Sequence, residues 1–257
     1  MTRLAATGLT LGYDDRVVVD ALDVEILEGR VTTIVGANAC GKSTLLRGLA
    51  RLLKPRAGTV LLDDRPLDVL STLEVAQVLG VLPQTPVAPD GITVGDLVGR
   101  GRHPHQGWFR RWTEADETAV ADALDATGTE DLVARPLREL SGGQRQRVWV
   151  AMALAQQTDV LLLDEPTTYL DLNHQVELLR LLRELNHRSG KTIVVVLHEL
   201  NLAARFSDHM VAMADGRIVA QGAPGEVVTA DLVRDVFGLD CLVVPDPVAG
   251  SPLVVPL

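Results

Sequence analysis

Eight residues, Gly36-Ala37-Asn38-Ala39-Cys40-Gly41-Lys42-Ser43, follow the apolar run Val31-Thr32-Thr33-Ile34-Val35 and lead into a helix-forming stretch. Glycine, four residues, then Gly-Lys-Ser is the spacing of a loop that cradles phosphate. Its successive backbone N–H groups and the helix N-terminus behind it face anionic oxygens, and the helix dipole favours negative charge there. In such a loop Lys42 bridges the β- and γ-phosphates of a nucleoside triphosphate, and the Ser43 hydroxyl ligates Mg²⁺. A second feature is Asp164-Glu165, which ends the all-apolar run Val160-Leu161-Leu162-Leu163 and precedes Pro166-Thr167. A carboxylate at the end of a buried strand needs a partner to offset its desolvation. Asp164 fits a Mg²⁺ ligand reached through water, and Glu165 fits the general base on the attacking water. The third is Ser141-Gly142-Gly143-Gln144, which opens a helix with Ser141 as its candidate N-cap.

These groups need elements to hold them. Short strands are expected at 9–11, 17–19, 24–26 and 31–35, punctuated by Gly and Asp turns, with further strands at 59–62 and 78–82. A helix is expected over 42–53. The stretch 93–127 reads as helical, broken at Pro104 and Gly107, with 116–127 as its clear segment. A helix over 142–156 follows, then a strand at 160–163 whose uniform apolarity suits a strand covered on both faces. The next helix is amphipathic, with Val176, Leu178, Leu179, Leu181, Leu182 and Leu185 toward the core. Another buried strand, 192–197, ends at His198. Strands alternating with helices predict an α/β core with a parallel sheet, and 85–155 reads as a helical insertion beside it.

Composition narrows the function further. The 257 residues carry a net charge of −10, which argues against nucleic acid as the ligand, and the pair Arg110-Arg111 is too short to reverse that. With 47% apolar and only 3% aromatic residues, the core must be built of Leu, Val and Ala. Cys40 and Cys241 form no disulfide framework and have no metal-ligand spacing, and the six histidines are scattered. No apolar stretch approaches the length of a membrane span, and Met1-Thr2-Arg3-Leu4 lacks the shape of a signal peptide. The expectation is a cytoplasmic chain, whose membrane role, if any, needs a partner that crosses the bilayer.

The phosphate loop, then Leu-Ser-Gly-Gly-Gln-Arg-Gln-Arg over 140–147, then Leu-Leu-Asp-Glu-Pro-Thr over 162–167, resembles the nucleotide-binding subunit of an ABC transporter, over nearly the whole length. The resemblance implies a P-loop NTPase core with a RecA-like parallel sheet, an N-terminal antiparallel β subdomain and a helical subdomain. It divides the chain into 1–84 and 157–221 for the core with its β subdomain, 85–156 for the helical subdomain carrying the signature, and 222–257 for a short C-terminal extension. It implies ATP and Mg²⁺, with Gly36 to Ser43 and Thr44 around the phosphates. Ser141, Gly142, Gly143 and Gln144 would cap the γ-phosphate held by a second copy of the subunit, so the site would be shared across a dimer. Tyr13 falls where an aromatic stacks on adenine. Gln84, after Val81-Leu82-Pro83, fits the glutamine that touches Mg²⁺ and the water and senses the membrane partner. Asp171, in Tyr169-Leu170-Asp171, fits the loop that crosses the dimer interface, and His198 the residue that contacts the γ-phosphate. The chain departs from the family with Ala37 where Pro is frequent, Ala39 where Gly is usual, and Glu199 where Asp is commoner. If position 39 requires φ > 0, its alanine costs about 1 kcal/mol.

Within the family, Gly99-Arg100-Gly101-Arg102-His103-Pro104-His105, Val236-Phe237-Gly238-Leu239 and the closing stretch 247–256 resemble importers of ferric siderophores, haem and vitamin B12. That implies integral-membrane permease subunits docking on the helical insertion, an extracytoplasmic substrate-binding protein, and a peripheral position on the cytoplasmic face of the membrane. Arg102 and the two histidines could instead be solvated loop residues. A ferric siderophore or similar metal chelate is the expected cargo; haem, vitamin B12 or another cargo, and a soluble non-transport ABC ATPase, are the alternatives. No second cassette with a charged linker, and no interrupting coiled coil or zinc module, supports the soluble reading. Cys40 lies beside a helix N-terminus and Lys42, which predicts a lowered thiol pKa and a reactive cysteine; the alternative is a small buried filler.

Overall fold

The computed structural model describes residues 2–106 and 112–257. Gly107 and Arg110-Arg111 therefore lie outside the described residues. In chain order, β1 (Thr2–Tyr13) and β2 (Arg16–Leu27) form a hairpin, and β3 (Val31–Gly36) leads through the phosphate loop into α1 (Lys42–Leu49). Then come β4 (Ala57–Leu62), β5 (Arg65–Pro66), α2 (Thr72–Val78) and β6 (Leu79–Leu82). The insertion holds α3 (Val94–Gly99), a 3-10 turn (Arg100–His105), α4 (Glu114–Thr127) and α5 (Gly142–Ala155). The chain returns with β7 (Val160–Asp164), α6 (Leu172–Ser189), β8 (Thr192–Val196), α7 (Leu200–Phe206), β9 (His209–Ala214) and β10 (Arg217–Gly222). Helices α8 (Pro224–Val227) and α9 (Ala230–Phe237) and a hairpin of β11 (Cys241–Pro245) and β12 (Pro252–Pro256) complete it.

Two sheets organise these elements. The larger runs β10-β9-β3-β8-β7-β6, parallel throughout except for β10 at its edge. The smaller is antiparallel, in the order β2-β1-β4-β5. The inner strands β3, β7 and β8 are buried throughout, as the uniform apolarity of 160–163 predicted for β7. Ile34, Leu162, Val194 and Val196 pack into one core toward the antiparallel sheet, while Val35, Leu161, Leu163 and Val195 pack into the other, toward the helical insertion.

Several expected boundaries moved, for local reasons. The separate strands at 9–11, 17–19 and 24–26 are parts of two twelve-residue strands. Gly8 (φ 57) and Ala21 (φ 45) accommodate irregularities in their pairing instead of ending strands, so turn signals became bulges. Helix α1 stops at Leu49, where Arg51 turns to φ 59 and Leu52 and Leu53 bond back to Arg47 O. Helix α2 runs to Val78, started by a reciprocal cap between Ser71 and Glu74, and so delays β6 to Leu79. Along α6, Leu178, Leu179 and Leu182 are buried, whereas Val176, Leu181 and Leu185 are half-buried. The helix is capped by Asp171, whose carboxylate accepts from His174 N at 3.0 Å. No helix among the described residues is long and apolar enough to cross a membrane.

Candidate nucleotide site

The loop between β3 and α1 requires two glycines. Gly36 sits at φ 154, and a Cβ there would lie 2.3 Å from Met213 O; Gly41, the N-cap of α1, sits at φ 107. Ala39 between them takes φ 62 and carries the strain that its sequence position raised. Lys42 is buried and folds back over the loop, donating to Gly36 O and Ala37 O at 2.9 Å each. Ala39→Gly is expected to move the melting midpoint by less than about 4 °C, because relief of strain is offset by the freedom glycine adds to the unfolded chain. Thermal unfolding measures it.

The carboxyl ends of β7 and β8 face this loop. Asp164 is fully buried and accepts from Ser43 Oγ at 2.9 Å. Burial pushes its carboxyl above the ordinary range and the Glu165 charge adds to this, while the Ser43 hydroxyl, Arg47 and Lys42 oppose it. Glu165 is also buried, with Oε1 2.7 Å from His198 Nε2. Its backbone stands at φ 52, a left-handed conformation that costs a non-glycine residue about 1 kcal/mol. Thr168, whose N–H bonds Glu165 O at 3.2 Å, holds the turn.

A cleft of about 870 Å³ joins these parts. The β1–β2 turn contributes Tyr13 and Arg16, the loop and first turn of α1 contribute Asn38, Ala39, Gly41, Lys42, Ser43 and Thr44, and Gln84, Glu165 and His198 close it. Asp164 reaches it through Ser43. The cleft is not lined by Ser141, Gly142, Gly143, Gln144 or Asp171 of the same chain. Ser141 caps α5 as expected, its Oγ accepting from Gln144 N at 3.2 Å while Gln144 Oε1 accepts from Ser141 N at 3.1 Å. The loop before α6 lies against that helix start: a Cβ on Gly142 would meet Tyr169 Cβ at 3.4 Å, and one on Gly143 would meet Leu170 Cδ2 at 3.4 Å. The signature is thus packed against the segment that leads to Asp171, and neither lines the chain's own cleft.

Two readings change. Cys40 is buried beneath the loop, its sulfur on the side where Gly36 has no side chain. Burial pushes its thiol pKa up, outweighing the lowering by Lys42 and the backbone N–H groups, so the expected reactive thiolate is replaced by the buried filler. Arg102 is no solvated loop residue either, for it is 5% exposed and ion-paired with buried Asp116 at 2.9 Å. Two cations had been missed. Arg16 lines the cleft three residues after Tyr13, and Arg47 Nη1 donates to the Tyr13 hydroxyl at 3.2 Å. The signal for Arg47 was its place four residues after Ser43, on the same face of α1; nothing local marked Arg16.

Comparison with known proteins agrees with this geometry. A family profile described as ABC transporter matches residues 19–168. Over 256 residues the chain is 54% identical to the probable siderophore transport system ATP-binding protein of Bacillus subtilis, covering 100% of this chain and 93% of that one. It is 52% identical over 257 residues to the ferric enterobactin transport ATP-binding protein of Escherichia coli, covering 100% and 95%. Among solved structures, an ABC transporter in an inward-facing conformation superposes with a TM-score of 0.84 at 27% identity, over 100% of this chain and 97% of that one. A bacterial ABC transporter cassette solved as a dimer gives 0.78 at 27%, over 86% and 98%.

Proposed function

The chain belongs to the ABC transporter family of ATP-binding subunits, and on that premise we propose a role for each group in the cleft. The protein is an ATP hydrolase that energises import of a ferric siderophore or a similar metal chelate. Tyr13 receives the adenine, steadied by Arg47, and the N–H groups of the loop and of α1 receive the phosphates. Lys42, now bonded to two loop carbonyls, exchanges them for β- and γ-phosphate oxygens. Ser43 Oγ, bonded to the Asp164 carboxylate, and the Gln84 amide oxygen on the same cleft are hard oxygen donors, a set whose chemistry fits Mg²⁺. When bound, the ion neutralises charge developing on the transferred phosphoryl group. Glu165 takes the proton of the attacking water, and His198, held against it, contacts the terminal phosphate.

What carries this reading is the meeting of the Ser43–Asp164 and Glu165–His198 pairs at the mouth of one phosphate loop. Ser141, Gly142, Gly143, Gln144 and Asp171 serve the site of a second copy; their absence from their own cleft and the dimeric cassette both support this. The 85–156 segment is the helical subdomain on which permease subunits dock, and 222–257 a short extension. The assembled importer further includes an extracytoplasmic binding protein, and this subunit lies peripherally on the cytoplasmic face. The cargo assignment draws support from the siderophore and enterobactin relatives. Deleting the gene is expected to abolish uptake of labelled ferric siderophore, with restoration by the wild-type chain and not by Glu165→Gln. Loss of haem or vitamin B12 uptake alone would move the cargo, and unchanged uptake of all three would overturn the importer reading.

A further inference from the structure

The 3-10 turn Arg100–His105 is bonded near the starts of β6 and β7, the opposite strand ends from those that face the cleft, and its central arginine is buried. Arg102 Nε donates to Asp116 Oδ1 at 2.9 Å, while Nη1 donates to Ala155 O at 2.7 Å and to Gln157 Oε1 at 3.1 Å. The second of these places a cation on a last-turn carbonyl of α5, where the helix dipole favours it. Asp116 also closes the reciprocal cap that starts α4 with Thr113. The turn approaches α5 so closely that a Cβ on Gly101 would lie 2.4 Å from Met152 O. His105 Nε2 and Gln156 O are 2.6 Å apart, and Gln77 Nε2 donates to Pro104 O at 3.1 Å.

These contacts fall at two roots. Gln77 lies in the last turn of α2, just ahead of β6, which leads to Gln84, and Gln156 and Gln157 lie in the short connection from α5 to β7, which ends at Asp164, beside Glu165. Strands β6 and β7 are hydrogen-bonded neighbours, Leu79 beside Val160 through Leu82 beside Leu163. Helix α5 carries Ser141 at its other end. A buried guanidinium that satisfies three acceptors on two helices and the following loop is costly to desolvate and rigid once placed.

We propose that Arg102 is a positioning residue for ATP hydrolysis: by bonding α4, the C-terminal end of α5 and Gln157 together, it fixes the signature helix relative to the strand that presents Asp164 and Glu165. Arg102 does not line the nucleotide cleft and acts through α5 and β7. The proposal rests on the reading that this chain hydrolyses ATP through Glu165.

The test measures ATP affinity, steady-state ATPase and melting for Arg102→Gln, Arg102→Lys and, as a control, Leu124→Ala. Leu124 is buried on α4 away from the bridge, so its truncation destabilises the same subdomain without cutting the link. Below the melting range, both Arg102 variants are expected to bind ATP within about twofold of wild type while kcat falls roughly ten- to hundredfold. Leu124→Ala should keep near wild-type kcat. Arg102→Lys preserves the charge opposite Asp116 and carries the test if Arg102→Gln does not fold, because an ammonium cannot span the three acceptors. Wild-type kcat in Arg102→Lys, a fall no larger than that of Leu124→Ala, or parallel loss of affinity and kcat would overturn the proposal. A wild-type chain with no ATPase activity would instead overturn the hydrolase reading.

Discussion

Glu165→Gln is expected to bind ATP as the wild type does and to lose roughly 10²–10⁴-fold in kcat. Glutamine has the shape of glutamate, so the left-handed turn at 165 and the contact with His198 Nε2 can both persist. What disappears is the capacity to accept a proton from water. The phosphate loop, built on Gly36, Gly41 and Lys42, is untouched, so binding and hydrolysis separate. The variant should collect as an ATP-bound dimer that elutes early from a sizing column. ATPase activity within a few-fold of wild type would mean that another group serves as the base.

Ser141→Arg should abolish hydrolysis although Ser141 does not line the cleft of its own chain. The substitution removes a helix cap, which costs about 1 kcal/mol, and places a long cation where the partner's phosphates are expected. ATP binding to each subunit, measured separately, should stay near normal, and Ser141→Ala separates loss of the cap from the added bulk. A mixture of Ser141→Arg and Lys42→Ala subunits forms dimers in which one site carries both defects and the other carries neither. Such a mixture should regain turnover that neither homodimer has. Full activity of the Ser141→Arg homodimer would place the whole site within one chain.

The parts of this molecule legible in its sequence are those in which neighbouring residues set the geometry. A strand, a glycine loop and a helix start are contiguous, so Gly36 to Ser43 announced their own shape, and Ser141 announced its cap. Asp164 and His198 could be placed because apolar runs end where parallel strands deliver their last residue. Arg102 was illegible because its acceptors lie 14 to 55 positions away in the chain. For Cys40 the local cues, a helix N-terminus and Lys42, pointed toward a thiolate; burial by distant elements reversed them. Arg16 gave no signal because only the folding of the hairpin onto the loop brings it to the cleft. In each case the missing information was tertiary.

The left-handed backbone at Glu165 also bears on how the protein evolves. At φ 52 the residues that suit the main chain best are glycine and asparagine, and neither can take a proton from water. Replacement there would relieve strain while ending turnover, so stability and activity pull this codon in opposite directions. In a lineage freed from the need to hydrolyse ATP, drift toward glycine or asparagine at this position would mark the decay of the cassette while its fold grew sturdier.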